Sequence, residues 1–139
     1  MVEFTVNYIA VIVSAVAAMA LGMAWYGPLF GKKWMGLMGI SEKQAKEGMK
    51  KGGMMKSMVA GLVANIVMAY VLSMIVDFAG ATDAMGGVIT AFWVWLGFVA
   101  TVTLSSILWE GKSVELYLIN NAYNLVNLAI MGAIVAVLV

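Results

Sequence analysis

The sequence predicts an all-α, polytopic membrane protein with four transmembrane helices in a bundle and a short helix in the first connection. Composition and the spacing of the charges support this fold class. Hydrophobic residues make up 64% of the 139 residues and charged residues only 11%, whereas soluble domains carry about 45–50% apolar and about 25% charged residues. A chain of this length cannot bury so much apolar surface in a water-soluble core. The composition therefore excludes an ordinary soluble enzyme and a nucleic-acid-binding protein.

The charged residues leave four long uncharged stretches of 28, 20, 26 and 24 residues. A helix needs roughly 17–25 apolar residues to cross a bilayer, so each stretch fits one span and none fits two. These spans must be helical, because a helix pairs its own backbone groups in lipid and the runs lack the alternation of barrel strands. The predicted spans of this single transmembrane domain, residues 1–139, are 8–30, 58–76, 85–109 and 116–139.

The placement of lysine predicts the orientation of the chain in the cell membrane. All eight basic residues are Lys. Seven of the eight lie in the connection 31–57, and the eighth, Lys112, lies between the third and fourth spans. The positive-inside rule places both of these loops in the cytoplasm. An even number of spans then leaves both the N-terminus and the C-terminus outside.

The connection 31–57 is predicted to be cytoplasmic and partly helical. Gly27-Pro28 is expected to end the first helix, because Pro cannot continue it without a kink. Ser41 and Gln44 have the spacing of a capping box, which predicts a short helix from Ser41. This helix is either simply solvated or in contact with anionic lipid headgroups, at about 1 kcal/mol per lysine. The headgroup-contact candidates are Lys43, Lys46, Lys50 and Lys51.

Polar side chains on the fourth span are the main candidates for a functional site. Asn120, Asn124 and Asn127 fall within roughly 60° of one another on a helix that turns about 100° per residue. Tyr117 and Tyr123 flank the same stripe. Three amides cannot face lipid without a large free-energy penalty. They are either interhelical contacts, at about 0.6 kcal/mol each, or the lining of a pore or pocket.

Polar residues of two other spans lie in the same half of the membrane. Asn65 is about 10 Å inside the second span at 1.5 Å per residue. Thr101, Thr103, Ser105 and Ser106 lie in the cytoplasmic half of the third span, and Thr101 and Ser105 are the candidates for the polar layer. The layer is either a wet vestibule open to the cytoplasm or a dry set of mutually bonded side chains.

Small residues recur at a spacing of four in three of the spans, which lets helices approach closely. The rows serve packing within one chain or, because four short helices leave a large outer perimeter, contacts in a homo-oligomer. The three rows are Ser14-Ala18-Gly22, Gly61-Asn65-Ala69-Ser73 and Gly97-Thr101-Ser105.

The third connection is predicted to be a tight turn. Gly111 can adopt the left-handed conformation that ends a helix. The unpaired N–H groups at the start of the fourth helix then favour capping by Glu110, Ser113 or Glu115.

The chain lacks the residues of several catalytic chemistries. It contains no Cys and no His, which removes thiolate and imidazole nucleophiles and ligands. No charge lies deep in a span, so proton-coupled exchange through a buried carboxylate is excluded. We therefore predict no catalytic residue, no metal site and no cofactor, and we do not expect an enzyme.

Six short motifs together resemble one known family over nearly the whole chain. They are Asn7-Tyr8, Trp25-Tyr26-Gly27-Pro28, Phe30-Gly31-Lys32-x-Trp34, Gly97-Phe98, Trp109-Glu110-Gly111-Lys112 and Leu118-Ile119-Asn120-x-x-Tyr123. They resemble the bacterial and archaeal domain-of-unknown-function family 1761. The resemblance implies a four-helix membrane topology and supplies no activity. It marks as family-motif positions Trp25, Tyr26, Pro28, Glu110, Gly111, Asn120 and Tyr123.

Two functions from different classes follow from the polar layer. The favoured one is a homo-oligomeric passive channel, or a protein that binds or transports a small solute or ion. The alternative is a structural or accessory membrane subunit in which the amides hold helices together. A small membrane enzyme is the least favoured, because the glutathione-transferase-like membrane proteins need arginines that this chain lacks. The expected partners are the lipid bilayer, further copies of the chain and anionic headgroups.

The predicted orientation is testable with single cysteines, since the chain has none of its own. Lys46→Cys should be protected from an impermeant thiol reagent in intact cells, because position 46 is predicted to be cytoplasmic. Thr82→Cys should react with the same reagent from outside. The reverse pattern of labelling would contradict the orientation.

Overall fold

A computed structural model describes residues 6–41, 43–44, 47 and 53–138 of the chain. Within these ranges the protein is helical, without a strand, and four helices are long and apolar enough to cross a membrane. The predicted fold class is therefore confirmed. The four helices occupy Tyr8–Leu29, Met55–Phe78, Ala84–Leu108 and Val114–Val137.

Five helical segments form the bundle and the turn beside it. The first span begins as α1 (Tyr8–Ala24) and is followed by α2 (Gly31–Met38). The other spans lie in α3 (Gly53–Phe78), α4 (Ala84–Leu108) and α5 (Val114–Val137). One turn of π-helix interrupts α4 at Trp95–Ala100.

The first span ends in a bend at Gly27-Pro28, as predicted. The backbone forms a π-helical turn at Trp25–Leu29, in which the Phe30 N–H donates to the Trp25 carbonyl at 2.8 Å. Gly27 has the non-helical angles φ −103° and ψ −105°. Pro28 has no N–H to donate and so cannot continue an α-helical ladder. The chain therefore turns sharply into α2.

Side-chain caps fix where the spans begin. Asn7 caps α1 by accepting from the N–H groups of Ile9 and Ala10 at 3.0 and 3.4 Å, and its amide donates to the Leu138 carbonyl. Asp83 caps α4 by accepting from the Gly86 N–H at 2.8 Å. Asn7 thus joins the start of the first span to the end of the last.

The tight turn before α5 has the predicted form. Gly111 is left-handed, with φ +68°, and the Ser113 hydroxyl accepts from the Leu116 N–H at 3.0 Å. Ser113 is therefore the cap among the three candidates. Glu110 lies 3.6 Å from the Lys112 ammonium instead, and Glu115 forms an ion pair with Lys33 of α2.

The predicted capping box is present in the first connection. The Ser41 N–H donates to Gln44 Oε1 at 3.0 Å, and the Gln44 N–H donates to Ser41 Oγ at 3.2 Å. Lys43 is helical and exposed. The other three headgroup-contact candidates, at positions 46, 50 and 51, lie outside the described residues.

The fourth span is the central helix of the bundle. α5 packs against α1, α3 and α4, whereas α4 packs mainly on α5. Met131 and Val135 of α5 are fully buried, together with Val76 of α3. The core therefore runs along α5 and is enclosed on several sides.

Two glycines set the closest approach of α4 to α5. A Cβ atom added to Gly87 would overlap the Gly132 carbonyl, and one added to Gly132 would overlap the Gly87 carbonyl and lie 3.0 Å from Cβ of Ala91. The two backbones are therefore in direct contact, a geometry that small residues allow between membrane helices.

Two of the three rows of small residues pack inside the chain. Ser14 and Ala18 of α1 and Ala69 and Ser73 of α3 are all buried. The third row, Gly97-Thr101-Ser105 of α4, is exposed along its whole length in the single chain. The helices thus use the first two rows to approach one another.

Gly132→Ala should destabilise the bundle by about 1–3 kcal/mol, because the added methyl group overpacks the contact with Gly87. The matched control is Gly97→Ala, where an added Cβ meets nothing within 4 Å. Thermal unfolding in detergent measures both. Equal melting temperatures for the two variants would contradict the close backbone contact.

Candidate functional site

A polar pocket of about 440 Å³ opens at one end of the bundle. This is the Lys-rich end, where α1 leads into α2 and the Lys112 loop joins α4 to α5. The pocket lies between the π-helical turn, α2, the end of α4 and the first half of α5. It is lined by Tyr26, Trp34, Met38, Thr103, Ser106, Lys112, Leu116, Tyr117, Asn120, Asn121 and Asn124.

The π-helical turn forms one wall of the pocket and is bonded to α5. The Trp25 indole donates to the Ile119 carbonyl at 3.1 Å, and the Tyr26 hydroxyl donates to Asn120 Oδ1 at 2.7 Å. The Trp34 ring packs edge-on against Tyr26, with ring centroids 5.5 Å apart. The bend at Gly27-Pro28 thus brings an aromatic pair over the first amide of α5.

On the opposite side of the pocket α4 is bonded to Asn121 of α5, a residue that the sequence analysis did not single out. Asn121 Nδ2 donates to the Tyr117 carbonyl at 3.0 Å, and the Trp95 indole donates to the Asn121 carbonyl at 2.9 Å. The Thr103 hydroxyl lies 2.9 Å from Asn121 Oδ1. The Tyr117 hydroxyl donates to the Ala100 carbonyl at 2.8 Å. Asn121 is 3% exposed, so its amide acts as an interhelical contact.

Two further amides are buried and paired beyond the pocket. Asn127 is 2% exposed, and its Nδ2 donates to Asn65 Oδ1 at 3.4 Å. Asn65 Nδ2 donates to the Gly61 carbonyl of its own helix at 2.9 Å. Asn65 and Asn127 thus join α3 to α5 one turn of α5 beyond Asn124, and within the described residues Asn127 Oδ1 is buried without a hydrogen-bond partner.

Other polar groups face the pocket without a protein partner. Within the described part of the chain, no hydrogen bond is made by Asn120 Nδ2, by the Asn124 amide or by the Ser106 hydroxyl. These groups retain their capacity to bind water or a ligand. Together with the paired amides, they divide the predicted polar layer into a dry part and an open part.

Lys112 supplies the pocket's charge. It is the one ionisable group at neutral pH among the residues lining the pocket, and no acidic side chain joins it there. Its ammonium lies 3.6 Å from the Glu110 carboxylate. The Lys112 side chain is 50% exposed and the Glu110 side chain 57% exposed. An exposed ion pair of this kind contributes at most about 1 kcal/mol, so Lys112 remains available to an anion.

The structure places two of the predicted polar residues away from the pocket. Thr101 and Ser105 lie on the exposed side of α4, while Thr103 and Ser106 line the pocket. The Thr101 hydroxyl donates to the Gly97 carbonyl of its own helix at 2.7 Å. That bond satisfies the hydroxyl proton, so Thr101 can face lipid.

The family-motif positions gather at the Lys-rich end. Trp25, Tyr26 and Asn120 are hydrogen-bonded across α1 and α5, as described above. Tyr123 packs on the other side of Tyr26, with ring centroids 5.2 Å apart. Pro28 lies in the exposed π-helical turn, and Glu110 and Gly111 lie in the exposed loop before α5.

Comparison with known proteins identifies the family of the chain. No curated protein and no solved structure matches it. One family model, described as a protein of unknown function (DUF1761), matches residues 9–136. The match includes all of the described pocket-lining residues and nearly the whole of the four membrane helices. The chain therefore belongs to this family of proteins of unknown function.

Proposed function

We propose that this integral membrane protein binds a small organic anion in the polar pocket. One observation carries the proposal: the pocket lining combines a lysine with unpaired hydrogen-bond donors and contains no carboxylate. Asn120 Nδ2, the Asn124 amide and the Ser106 hydroxyl all have protons to donate. A carboxylate accepts several hydrogen bonds and pairs with an ammonium group, so it matches this set of groups.

The size and walls of the pocket suit a small molecule. Its volume of about 440 Å³ lies within the range of roughly 300–1,000 Å³ that is common for small-molecule sites. Tyr26, Trp34 and Tyr117 provide flat apolar surfaces beside the polar groups. This combination resembles the usual design of such sites, in which a few polar groups orient a ligand held by apolar walls.

The orientation of the membrane helices determines from which side the anion enters. We propose that the Lys-rich end faces the cytoplasm, as the positive-inside rule favours. Lys33 is paired with Glu115 near this end of the chain, where Lys32 and Lys43 are exposed as well. Their positive potential attracts an anion toward the pocket mouth.

The packing beyond the pocket favours binding over conduction by one chain. The buried Asn65–Asn127 pair lies one turn of α5 beyond Asn124, and Leu128, Met131 and Val135 are buried further along α5. A passive channel would therefore require an assembly of several copies. The exposed row Gly97-Thr101-Ser105 offers a close-packing surface for the homo-oligomer that we predict from the sequence.

A structural role is the second candidate, and the paired amides favour it. Asn65, Asn121 and Asn127 are buried and hydrogen-bonded between or within helices. Asn65 and Asn121 have partners for both polar side-chain atoms and need no ligand to explain them, whereas Asn127 Oδ1 is buried without a partner within the described residues. The unpaired groups around Asn124 distinguish the two roles, because a purely structural role requires no unpaired hydrogen-bond donors.

Lys112→Met should weaken binding of butyrate by roughly two- to fivefold, which is the effect of losing a partly exposed charge pair of up to about 1 kcal/mol. Glu110→Gln should strengthen it by a similar factor, because the carboxylate no longer competes for Lys112. Ligand-observed NMR with the protein in nanodiscs measures both affinities.

The control for this pair of variants is Lys32→Met, which removes an exposed lysine outside the pocket lining. It should leave the butyrate affinity within about twofold of the unmodified protein, because a charge beyond the pocket acts only through screened potential. Equal affinities for all four proteins would contradict an anion site at Lys112.

A further inference from the structure

A second cavity of about 450 Å³ lies between α1 and α3, and we call it the α1–α3 crevice. Gly22 and Gly61 form its floor, and the thioethers of Met19, Met23 and Met58 line its sides. Ser57 places one end near the start of the α3 span, and Asn65 marks the inner end. The crevice is thus a largely apolar slot that begins at the Lys-rich end.

One side chain lines both the crevice and the polar pocket. Tyr26 lines both cavities. On the pocket side its hydroxyl donates to Asn120 Oδ1 at 2.7 Å, and on the crevice side its ring packs edge-on against Tyr123. The polar pocket and the apolar crevice therefore adjoin at Tyr26.

Tyr26 lies in the π-helical turn, next to Gly27 with its non-helical angles. A Cβ atom added to Gly27 would meet nothing within 4 Å, whereas one added to Gly31 would lie 2.5 Å from the Tyr26 carbonyl oxygen. The Tyr26 backbone is therefore held, and the movement required is a rotation of its side chain. π-helical turns inside membrane and soluble helices are frequent at functional sites.

We infer that the ligand of the polar pocket is an amphipathic carboxylate whose alkyl chain lies in the α1–α3 crevice once Tyr26 has moved aside. This inference rests on the proposed function of the polar pocket. Lys112, Asn120 and Asn124 bind the carboxylate. The methionines receive the chain, because their flexible thioether side chains adapt to an apolar ligand of variable shape.

The dependence of affinity on chain length tests this assignment. Acetate, butyrate and hexanoate share one head group and stay in water at low concentration, so their binding to the nanodisc-embedded protein can be compared directly. Each methylene that leaves water for the crevice should tighten binding up to about fourfold. Hexanoate should therefore bind at least tenfold more tightly than acetate.

Gly61→Leu fills the crevice without touching the polar pocket. An added Cβ at position 61 would lie 3.7 Å from Met19 Sδ, which is ordinary contact, and the longer side chain extends into the slot. The variant should bind acetate as the unmodified protein does and should lose the gain from butyrate to hexanoate. Gly97→Leu, on the exposed side of α4, is the matched control and should keep that gain.

Each outcome has a distinct meaning. Equal affinities for the three carboxylates in the unmodified protein overturn this inference and leave the anion site standing. A gain with chain length that survives in Gly61→Leu also overturns it, because the chain then lies elsewhere. Absence of binding by all three contradicts the proposed function itself. If Gly61→Leu does not fold, the smaller Gly61→Val replaces it and is judged by the same criterion.

Discussion

An amide side chain in a membrane must be either paired or hydrated, and this constraint governs the whole bundle. α5 carries four asparagines, at positions 120, 121, 124 and 127. Leaving any of these amides unbonded against lipid would cost about 2–7 kcal/mol. The other three spans therefore surround α5, and the bend at Gly27-Pro28 brings Trp25 and Tyr26 to the same helix.

The four asparagines meet this constraint in two different ways. Asn121 and Asn127 are buried and bonded to neighbouring residues, and they connect α5 to α4 and α3. Asn120 keeps a free Nδ2 and Asn124 a free amide, and both face the pocket beside Lys112. The proposed binding site and the contacts that hold the bundle together thus share one helix. The C-terminal half of α5, beyond Asn127, carries no amide side chain and packs through Gly132 against Gly87.

Much of this fold was predictable because it depends on local rules. Uninterrupted apolar length gives the four spans, Pro28 ends the first helix, and the caps at Ser41 and Ser113 follow from residue type and spacing. Gly111 is left-handed as expected, since a glycine adopts that conformation without a Cβ penalty.

The composition of the site was less predictable, because it depends on how helices rotate against one another. A single polar stripe on α5 includes Asn120, Asn124 and Asn127 and leaves out Asn121, which points about 100° away from Asn120. That reasoning assumes a helix with one buried face, whereas α5 is enclosed on several. Thr101 was a candidate for the polar layer, and it is exposed in the single chain because its hydroxyl donates to its own helix and so can face lipid.

The division of the polar layer places Asn124 in an open pocket and Asn127, one turn along the same helix, in a dry contact. Cysteines at these two positions test it most directly, in a chain that has no other cysteine. A hydrophilic methanethiosulfonate reagent should modify Asn124→Cys rapidly from the Lys-rich side and leave Asn127→Cys unmodified. Equal rates of modification at both positions, whether fast or slow, would contradict the division of the polar layer.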